Sequence, residues 1–566
     1  MKISNIKIAA LGLLTLGLAS CGDDYLDTSS KTALNSESFY KNEAQANAAV
    51  VGCYDGYQAT ISEGCWPNLF LASEFASDDA YGGGGPDDRT CRILDRMDMS
   101  YNASDVSFFS ATWEWYYKAI NRCNTFLQKN NPDIYTNQDN YLAAEGEARA
   151  LRGLEYFDLV RLFENVPLIT TPTSEIVPQA APDSVYAQIV SDLKYAADNI
   201  PASYYTDKNS NLGRITRYAA GAMLARVYLF YDGVYNNNSR GTMPGGLTAA
   251  DALDYCEKAI NSNQYSLEPN FKDLWPAACT TASSKEDGWK NTYKEASNEI
   301  VWVVKFNNDQ DWNNSNHNGN RFIIDLGMRN VTSYAPYGNG WGQAPITSAA
   351  QAKFLGGDSR KDATVINARE IGAFNEQIGT DCMDYTGYVN KKYCPLIYTD
   401  GTSIPTDAAS SEISGANFQT SQDQNWILMR YSDVLLMAAE LGSPNATKYF
   451  NLVRERAYGN TDHDIAGTPT RQQIWDERRL EFMGEGIRYF DLRRQGLDAF
   501  VNAEVNQATV NGQAGSAPAT IYNNKTATTA TSTYQDANFR TKRGFFQIPN
   551  DQITLSGGVY KQNPGW

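Results

Sequence analysis

The stretch Trp475–Arg494 reads WDERRLEFMGEGIRYFDLRR, and the rest of the chain is best understood outward from it. It holds five arginines and five carboxylates, threaded with Trp475, Leu480, Phe482, Met483, Ile487, Tyr489, Phe490 and Leu492. A charge run that merely faced water would not carry so many large apolar side chains. Up to Met483 the spacing predicts a helix, with Glu477 and Glu481 one turn apart and Arg478 three residues before Glu481. Gly484 and Gly486 break it, and a second short segment begins at Ile487. Buried arginines need bidentate carboxylate partners, and the stretch itself contains both sides of such pairs. It reads as a salt-bridged helical corner, the alternative being a site for an anionic ligand.

Upstream, helical periodicity recurs. A helix is predicted from Glu37 through Gly52, and another over Phe108–Lys129 with Trp113, Tyr117, Ile120 and Phe126 as core. In EGEARALRGLEYFDLVRLFENVPLI, Glu145–Ile169, Leu151, Leu154, Phe157 and Val160 recur at three-residue steps. Tyr156, Leu159 and Phe163 widen that stripe over so much of the girth that the helix must be buried between neighbours. Pro167 is expected to end it. Asp183 or Ser184 caps the next helix, with Val185, Ile189, Leu193 and Ala197 spaced by four and Pro201 as its stop. The small residues of GRITRYAAGAMLARVYLF suit close helix–helix approach. A further helix spans about Ala249–Asn261, and Ser297–Phe306 alternates like a strand. Helix resumes at Arg430, turns at Gly442–Pro444, and continues with Phe450, Val453 and Ala457 as its apolar line. No strict thirty-four-residue repeat is present, so the pattern supports helical hairpins.

Composition removes several function classes. The 566 residues carry a net charge of −17 and no basic block, so nucleic acid is excluded as a partner. Only two histidines occur, His317 and His463, which leaves little room for a His-centred metal site or a Ser-His-Asp triad. Neither a metal nor a cofactor is expected. A glycosidase needs only carboxylates and is not removed by this argument.

Lys2 and Lys7 precede an apolar run, Ile8–Leu18, too short to span a bilayer as a mature helix. It ends in Leu18-Ala19-Ser20-Cys21, which matches the bacterial lipobox. Residues 1–20 are therefore expected to be a lipoprotein signal peptide, Cys21 the lipidated N-terminus, and 21–36 a polar tether. Several acyl chains, each CH₂ worth roughly 0.8 kcal/mol, make a stable anchor. The other cysteines form no CxxC pair, and their connectivity is open, with Cys53–Cys65 and Cys382–Cys394 as sequence-plausible pairings.

Two regions are irregular. Around Gly82–Gly85 and Pro86, Asp78, Asp79, Tyr81, Asp87, Asp88 and Arg89 place polar forks and an aromatic on what reads as a loop, either solvated or touching ligand. No Gly-Lys-Ser/Thr follows, so this is not a phosphate-binding loop. Residues 307–425 are rich in Asn, Gly, Ser and Thr and carry Trp312, Tyr334, Tyr337 and Trp341. Such tracts are not expected to pack a core by themselves. Aromatics beside Asn, Asp and Arg are the usual chemistry for sugars, a ring covering the C–H face while polar forks bind hydroxyls. Ala508–Ala537, low in apolar content, reads as a surface excursion.

Taken together, the lipobox, EARALRGLEYFDLVRLFENVPLI, VYAQIVSDLKYAADNIP, GRITRYAAGAMLARVYLF, Arg430–Glu440, FNLVRERA, ERRLEFMGEGIRYFDLRR and the terminal IPNDQI and NPGW resemble, in order, the SusD/RagB family of Bacteroidetes surface lipoproteins. Gly22-Asp23-Asp24 resembles the surface-export signal of that phylum. The resemblance implies a mostly α fold, a tetratricopeptide-like scaffold of helix pairs with long irregular ligand-binding loops and minor β. An N-terminal region, 37–306, and a C-terminal one, 307–566, would form one intertwined unit. It also implies a non-catalytic, surface-exposed lipoprotein of the outer membrane that binds an oligosaccharide or polysaccharide and acts as the lid of a TonB-dependent transporter. The alternatives are peptide uptake within the same family and a surface glycoside hydrolase. In the family the ligand face is drawn from regions corresponding to 60–90 and 307–342. The expected contacts are Trp66, Tyr81, Trp312, Tyr337 and Trp341 for stacking, and Asp78, Asp79 and Arg89 for hydroxyls. Glu164-Asn165, where the family usually has a Gly-containing turn, and the short Gly442–Pro444 link depart from the pattern.

Overall fold

The computed structural model describes residues 39–62, 64–307, 318–331, 334–379, 381–402, 404, 419, 422–530 and 534–566. The expected signal peptide, the tether, Cys21 and Trp312 lie outside the described residues.

The principal helices of the first half are α1 (Glu43–Ala59), α2 (Leu69–Phe75), α3 (Arg89–Arg96), α4 (Ser110–Lys129), α5 (Gln138–Phe163), α6 (Pro182–Asn199), α7 (Arg217–Tyr235) and α8 (Ala249–Asn261). Strand β1 (Ile300–Val304) follows, then α9 (Phe322–Leu326), β2 (Trp426–Arg430), α10 (Tyr431–Leu441), α11 (Ala446–Tyr458), α12 (Arg471–Phe482), α13 (Arg488–Arg493) and α14 (Leu497–Asn506). The long helices form a continuous row: α1 packs on α4, α4 on α5, α5 on α6, α6 on α7, α7 on α8, α8 on α10, and α10 on α11.

Every residue of helix α5 from Ala143 to Phe163 except the half-buried Arg149 is buried, as its wide apolar stripe requires. The charges it carries inward are met by partners on neighbouring helices. Arg152 grips Asp192 of α6 with two N–H···O bonds of 2.8 and 2.7 Å, and Asp158 accepts from Tyr57 of α1 and Tyr116 of α4, each at 2.9 Å. The helix stops at Phe163, before Pro167. Glu164 takes a positive φ of 61°, and Val166–Pro167 pair antiparallel with Gln179–Ala180. The chain thus turns at the Glu164-Asn165 departure, and proline enters a short strand instead of ending the helix.

The strand expected at Ser297–Phe306 is the shorter β1. All five of its residues are buried, because Ile-Val-Trp-Val-Val is covered on both faces while pairing antiparallel with β2. Residues after β1 also depart from expectation. Met328, Ile366, Tyr385, Val389, Cys394 and Leu396 build a second apolar cluster, so the described part of this irregular half does pack a core. The Ala508–Ala537 segment is likewise no simple excursion. Ala508, Ala519, Ile521, Ala530 and Tyr534 are buried in the main core, beside a hairpin of Thr520–Asn523 with Thr526–Thr529.

The stretch Trp475–Arg494 folds as α12, a turn through Gly484 and Gly486 at φ of 79° and 75°, and α13. Helix α12 starts before Trp475, at a capping box in which Thr470 and Gln473 satisfy each other's backbone N–H. The corner is salt-bridged, but most of its partners come from outside the stretch. Arg478 reaches Asp491 at 2.7 Å within it and also Asp433 of α10, which is shared with Arg226 of α7. Arg494 bonds Asp491 at 2.7 Å and Glu440 at 2.5 Å. Glu481 gathers Arg430 and Arg360, both buried, and the half-buried Arg456. Burial alone would raise the Glu481 carboxyl, but these three guanidiniums outweigh it and hold the group well below the usual carboxylate range. A cavity of about 30 Å³ beside Arg226, Arg478 and Arg494 has room for little more than ordered water. The corner is a structural joint.

Among the described residues no helix is long and apolar enough to cross a membrane, and no cluster of three or more His, Cys, Asp or Glu side chains is placed to hold a metal. Cys53, Cys65, Cys382 and Cys394 are buried free thiols, so neither sequence-plausible pairing is made here.

Candidate functional site

The Gly82–Gly85 run, which reads as a loop, is buried and laid edge to edge against residues 342–345. Tyr81 N donates to Pro345 O at 3.0 Å, Ala344 N to Gly82 O at 3.1 Å, and Gly84 N to Gly342 O at 3.0 Å. The approach is so close that a Cβ on Gly83, whose φ is 68°, would lie 2.3 Å from Pro345 Cδ. Only glycine satisfies both constraints. Beneath the run, Gly82 N donates to Asp95 Oδ2 at 2.9 Å, and burial pushes the Asp95 carboxyl up to about 7 although Arg96 opposes it. The segment Gly85–Asp88 emerges from this clamp at the surface, where Asp88 Oδ2 accepts from Gly85 N at 2.6 Å.

There it forms one wall of a cleft of about 600 Å³, lined by Trp66, Gly85, Pro86, Asp87, Asp88, Arg321, Asp325, Arg329, Trp341, Gln343 and Asp381. The loop before α2 supplies Trp66, α9 and its N-terminal flank supply Arg321 and Asp325, and the turn after α9 supplies Arg329. Trp341 is set by backbone bonds to that same element, its N–H donating to Ile324 O at 2.7 Å, and Gly342 N donates to Gly327 O at 2.8 Å. Arg329 organises the floor. Its Nη2 lies 2.9 Å from Asp381 Oδ2, its Nη1 donates to Trp341 O at 3.2 Å, and its guanidinium carbon stands 5.8 Å from the centre of the Trp341 ring. Asn330 holds the other oxygen of Asp381 at 2.7 Å. The result is two partly exposed indoles beside polar forks fixed in place by one another, an arrangement suited to a flat, hydroxylated ligand.

Of the expected contact residues, the fold brings Trp66 and Trp341 together in this cleft. Arg89 is exposed at the first turn of α3, next to Asp88 but outside the lining. Tyr337 lies elsewhere, packed against the second apolar cluster with the Lys391 ammonium 5.8 Å from its ring centre. Asp78, Asp79 and Tyr81 are corrections. Asp78 is buried and bound bidentately by Arg488 at 2.7 and 3.0 Å; Arg479 and Arg488 overcome the effect of burial and hold its carboxyl at about 2. Asp79 is buried against Arg479, and Tyr81 is 1% exposed with its hydroxyl donating to Gln507 O at 3.1 Å. All three are buried within the scaffold and lie outside the lining of the cleft. The residues missed from sequence are Arg321, Asp325, Arg329, Gln343 and Asp381. The first four fall in or just past the irregular 307–342 region, but nothing in their spacing separates them from its other polar residues, and Asp381 joins from far along the chain.

The scaffold has counterparts. A model described as the SusD family matches residues 298–566, and one described as starch-binding associating with outer membrane matches residues 24–229. A SusD-like protein of Formosa agariphila is 25% identical over 90% of this chain and 95% of its own length. One of Bacteroides ovatus is 25% identical over 87% of this chain and 82% of its own. Among solved structures, a laminarin binding SusD-like protein superposes with a TM-score of 0.67 at 24% identity, covering 93% of this chain and 100% of the other. Surface glycan-binding protein A from Bacteroides thetaiotaomicron, in complex with laminarihexaose, gives 0.68 at 23% identity, covering 92% and 99%. Two family models that between them take in most of the sequence, near-full-length relatives and a shared helical fold agree: residues 298–566 match the SusD family, and the chain along most of its length is similar to SusD-like proteins.

Proposed function

We propose that this protein is a cell-surface glycan-binding lipoprotein, anchored in the outer membrane through acylated Cys21, that presents oligosaccharide to a TonB-dependent transporter as its lid and performs no catalysis. The observation that carries the reading is the placing of Trp66 and Trp341 in one 600 Å³ cleft with Arg329, Asp381 and Gln343. Indole faces cover the C–H faces of sugar rings, and the forks offer both donors and acceptors to hydroxyls. The laminarin-binding and laminarihexaose-bound relatives of the same fold lend support. A cleft open at the surface also suits a chain held to sugar without being enclosed.

The test is isothermal titration of the soluble chain, beginning after Cys21, against panels of oligosaccharides and peptides. Micromolar-range binding to a glycan, weakened by Trp66→Ala and Trp341→Ala, is expected, with no reducing ends released on long incubation. Binding to peptides alone would transfer the reading to peptide uptake, and steady release of reducing ends would replace it with hydrolysis. Cys21→Ser is expected to move the full chain out of the outer-membrane fraction. The lid role predicts that the acylated protein co-purifies from detergent-solubilised outer membranes with a transporter.

A further inference from the structure

Two guanidiniums in one cleft would ordinarily mark a site for sulfate or carboxylate groups. Here both are already engaged by carboxylates of the cleft itself. Arg329 binds Asp381 at 2.9 Å, and Arg321 Nε lies 3.8 Å from Asp325 Oδ1. Asp87 and Asp88 add two further carboxylates to the wall, so the lining carries four acidic groups against two basic ones. Counting the nearby Arg89 leaves the acids in excess. Desolvation would raise the Asp381 carboxyl, yet Asn330 and Arg329 hold it below the usual range, so it stays ionised. The Gln343 side chain, 4% exposed, lines the same cleft with its Oε1 unpartnered among the described residues.

We infer that the Trp66–Trp341 cleft selects uncharged glycans and turns away sulfated and uronic-acid polymers, a conclusion that rests on the glycan-binding reading above. A sugar hydroxyl both donates and accepts, so it can satisfy Gln343 Oε1 and the free lone pairs of Asp87 or Asp381 while accepting from the paired guanidiniums. A sulfate or carboxylate only accepts. To accept from Arg329 or Arg321 it must lie beside Asp381 or Asp325, already paired with them, as a like charge. At longer range the net charge of −17 lowers the local concentration of polyanions, a component that salt screens and the contact component resists.

The inference is tested by affinity electrophoresis and titration calorimetry with neutral polysaccharides, each alongside its O-sulfated derivative on the same backbone, together with heparin and polygalacturonate. The expected result is binding to at least one neutral polymer, with its sulfated form at least about tenfold weaker in low salt and still weaker at 0.5 M salt, where the Debye length is well below 10 Å. Asp381→Asn should release Arg329 and narrow that ratio severalfold. Asp87→Asn, at an exposed position that carries no folding risk, should narrow it by a smaller factor. Equal or tighter binding of the sulfated form overturns the inference and leaves the glycan-binding reading standing. Binding to no glycan in either set overturns both.

Discussion

Arg479 Nη2 lies 2.6 Å from Asp79 Oδ1, and the two residues are 400 positions apart in the chain. The same guanidinium reaches Asp78 at 3.0 Å, and Arg488 of α13 holds Asp78 from the other side. The corner at Trp475–Arg494 therefore grips the segment that runs directly into the glycine clamp and the wall of the cleft. The scaffold's most distinctive stretch lies away from the cleft, yet it positions the loop that forms the cleft's wall.

Arg479→Ala is expected to lower stability by about 3 kcal/mol, since it leaves Asp79 buried without its partner. Chemical denaturation checks it. Because the clamp on residues 342–345 survives, protein that remains folded is expected to keep the cleft and most of its glycan affinity. A stable Arg479→Ala protein that binds nothing would place the arginine in the site itself.

Glu74 predicts a pH dependence. Its Oε1 accepts from Gly486 N at 2.7 Å, but burial dominates and pushes its carboxyl from 4.5 up to about 8. A folded-state value above the unfolded one means that its contribution is fully present below about pH 4.5 and is lost as pH rises through about 8. Glu74→Gln keeps the acceptor for Gly486 and removes the titration. Thermal melts across pH 5–8.5 should show a flatter profile for Glu74→Gln and a higher Tm than the parent at pH 8.5.

Gly83→Ala is expected to cost about 2–4 kcal/mol, from the left-handed backbone and the collision with Pro345 together. It should also weaken glycan binding, because the Gly85–Asp88 wall hangs from this clamp. Denaturant midpoints and titration on the same preparation separate the two effects.

Trp341→Ala and Trp66→Ala are each expected to reduce glycan affinity tenfold or more, equivalent to about 1.4 kcal/mol, with far less change in Tm than Arg479→Ala. Tyr337→Ala should do the reverse, lowering stability through the second apolar cluster while sparing affinity. Equal losses of affinity in all three would show that the cleft does not discriminate among these aromatics.

Much of the scaffold is legible along the chain. Periodicity in Leu151, Leu154, Phe157 and Val160 announces a buried helix because every turn repeats the same burial, and Gly442 and Gly459 close their helices in the left-handed conformation expected of a glycine after a last turn. The site is less legible. Trp66 and Trp341 stand out as large rings in polar surroundings, but Asp78 and Asp87 look alike in sequence. Burial alone tells them apart, one enclosed by two arginines and the other exposed.

The sequence by itself determined the helical class, the family resemblance and the salt-bridged nature of Trp475–Arg494, because these depend on local spacing and on residue types that few other arrangements tolerate. Which carboxylate meets which arginine, whether the four glycines face water or a backbone, and which two of the loop aromatics share a cleft were decided by the tertiary structure. Those outcomes depend on contacts between segments hundreds of residues apart, and no local pattern encodes a distance of that kind.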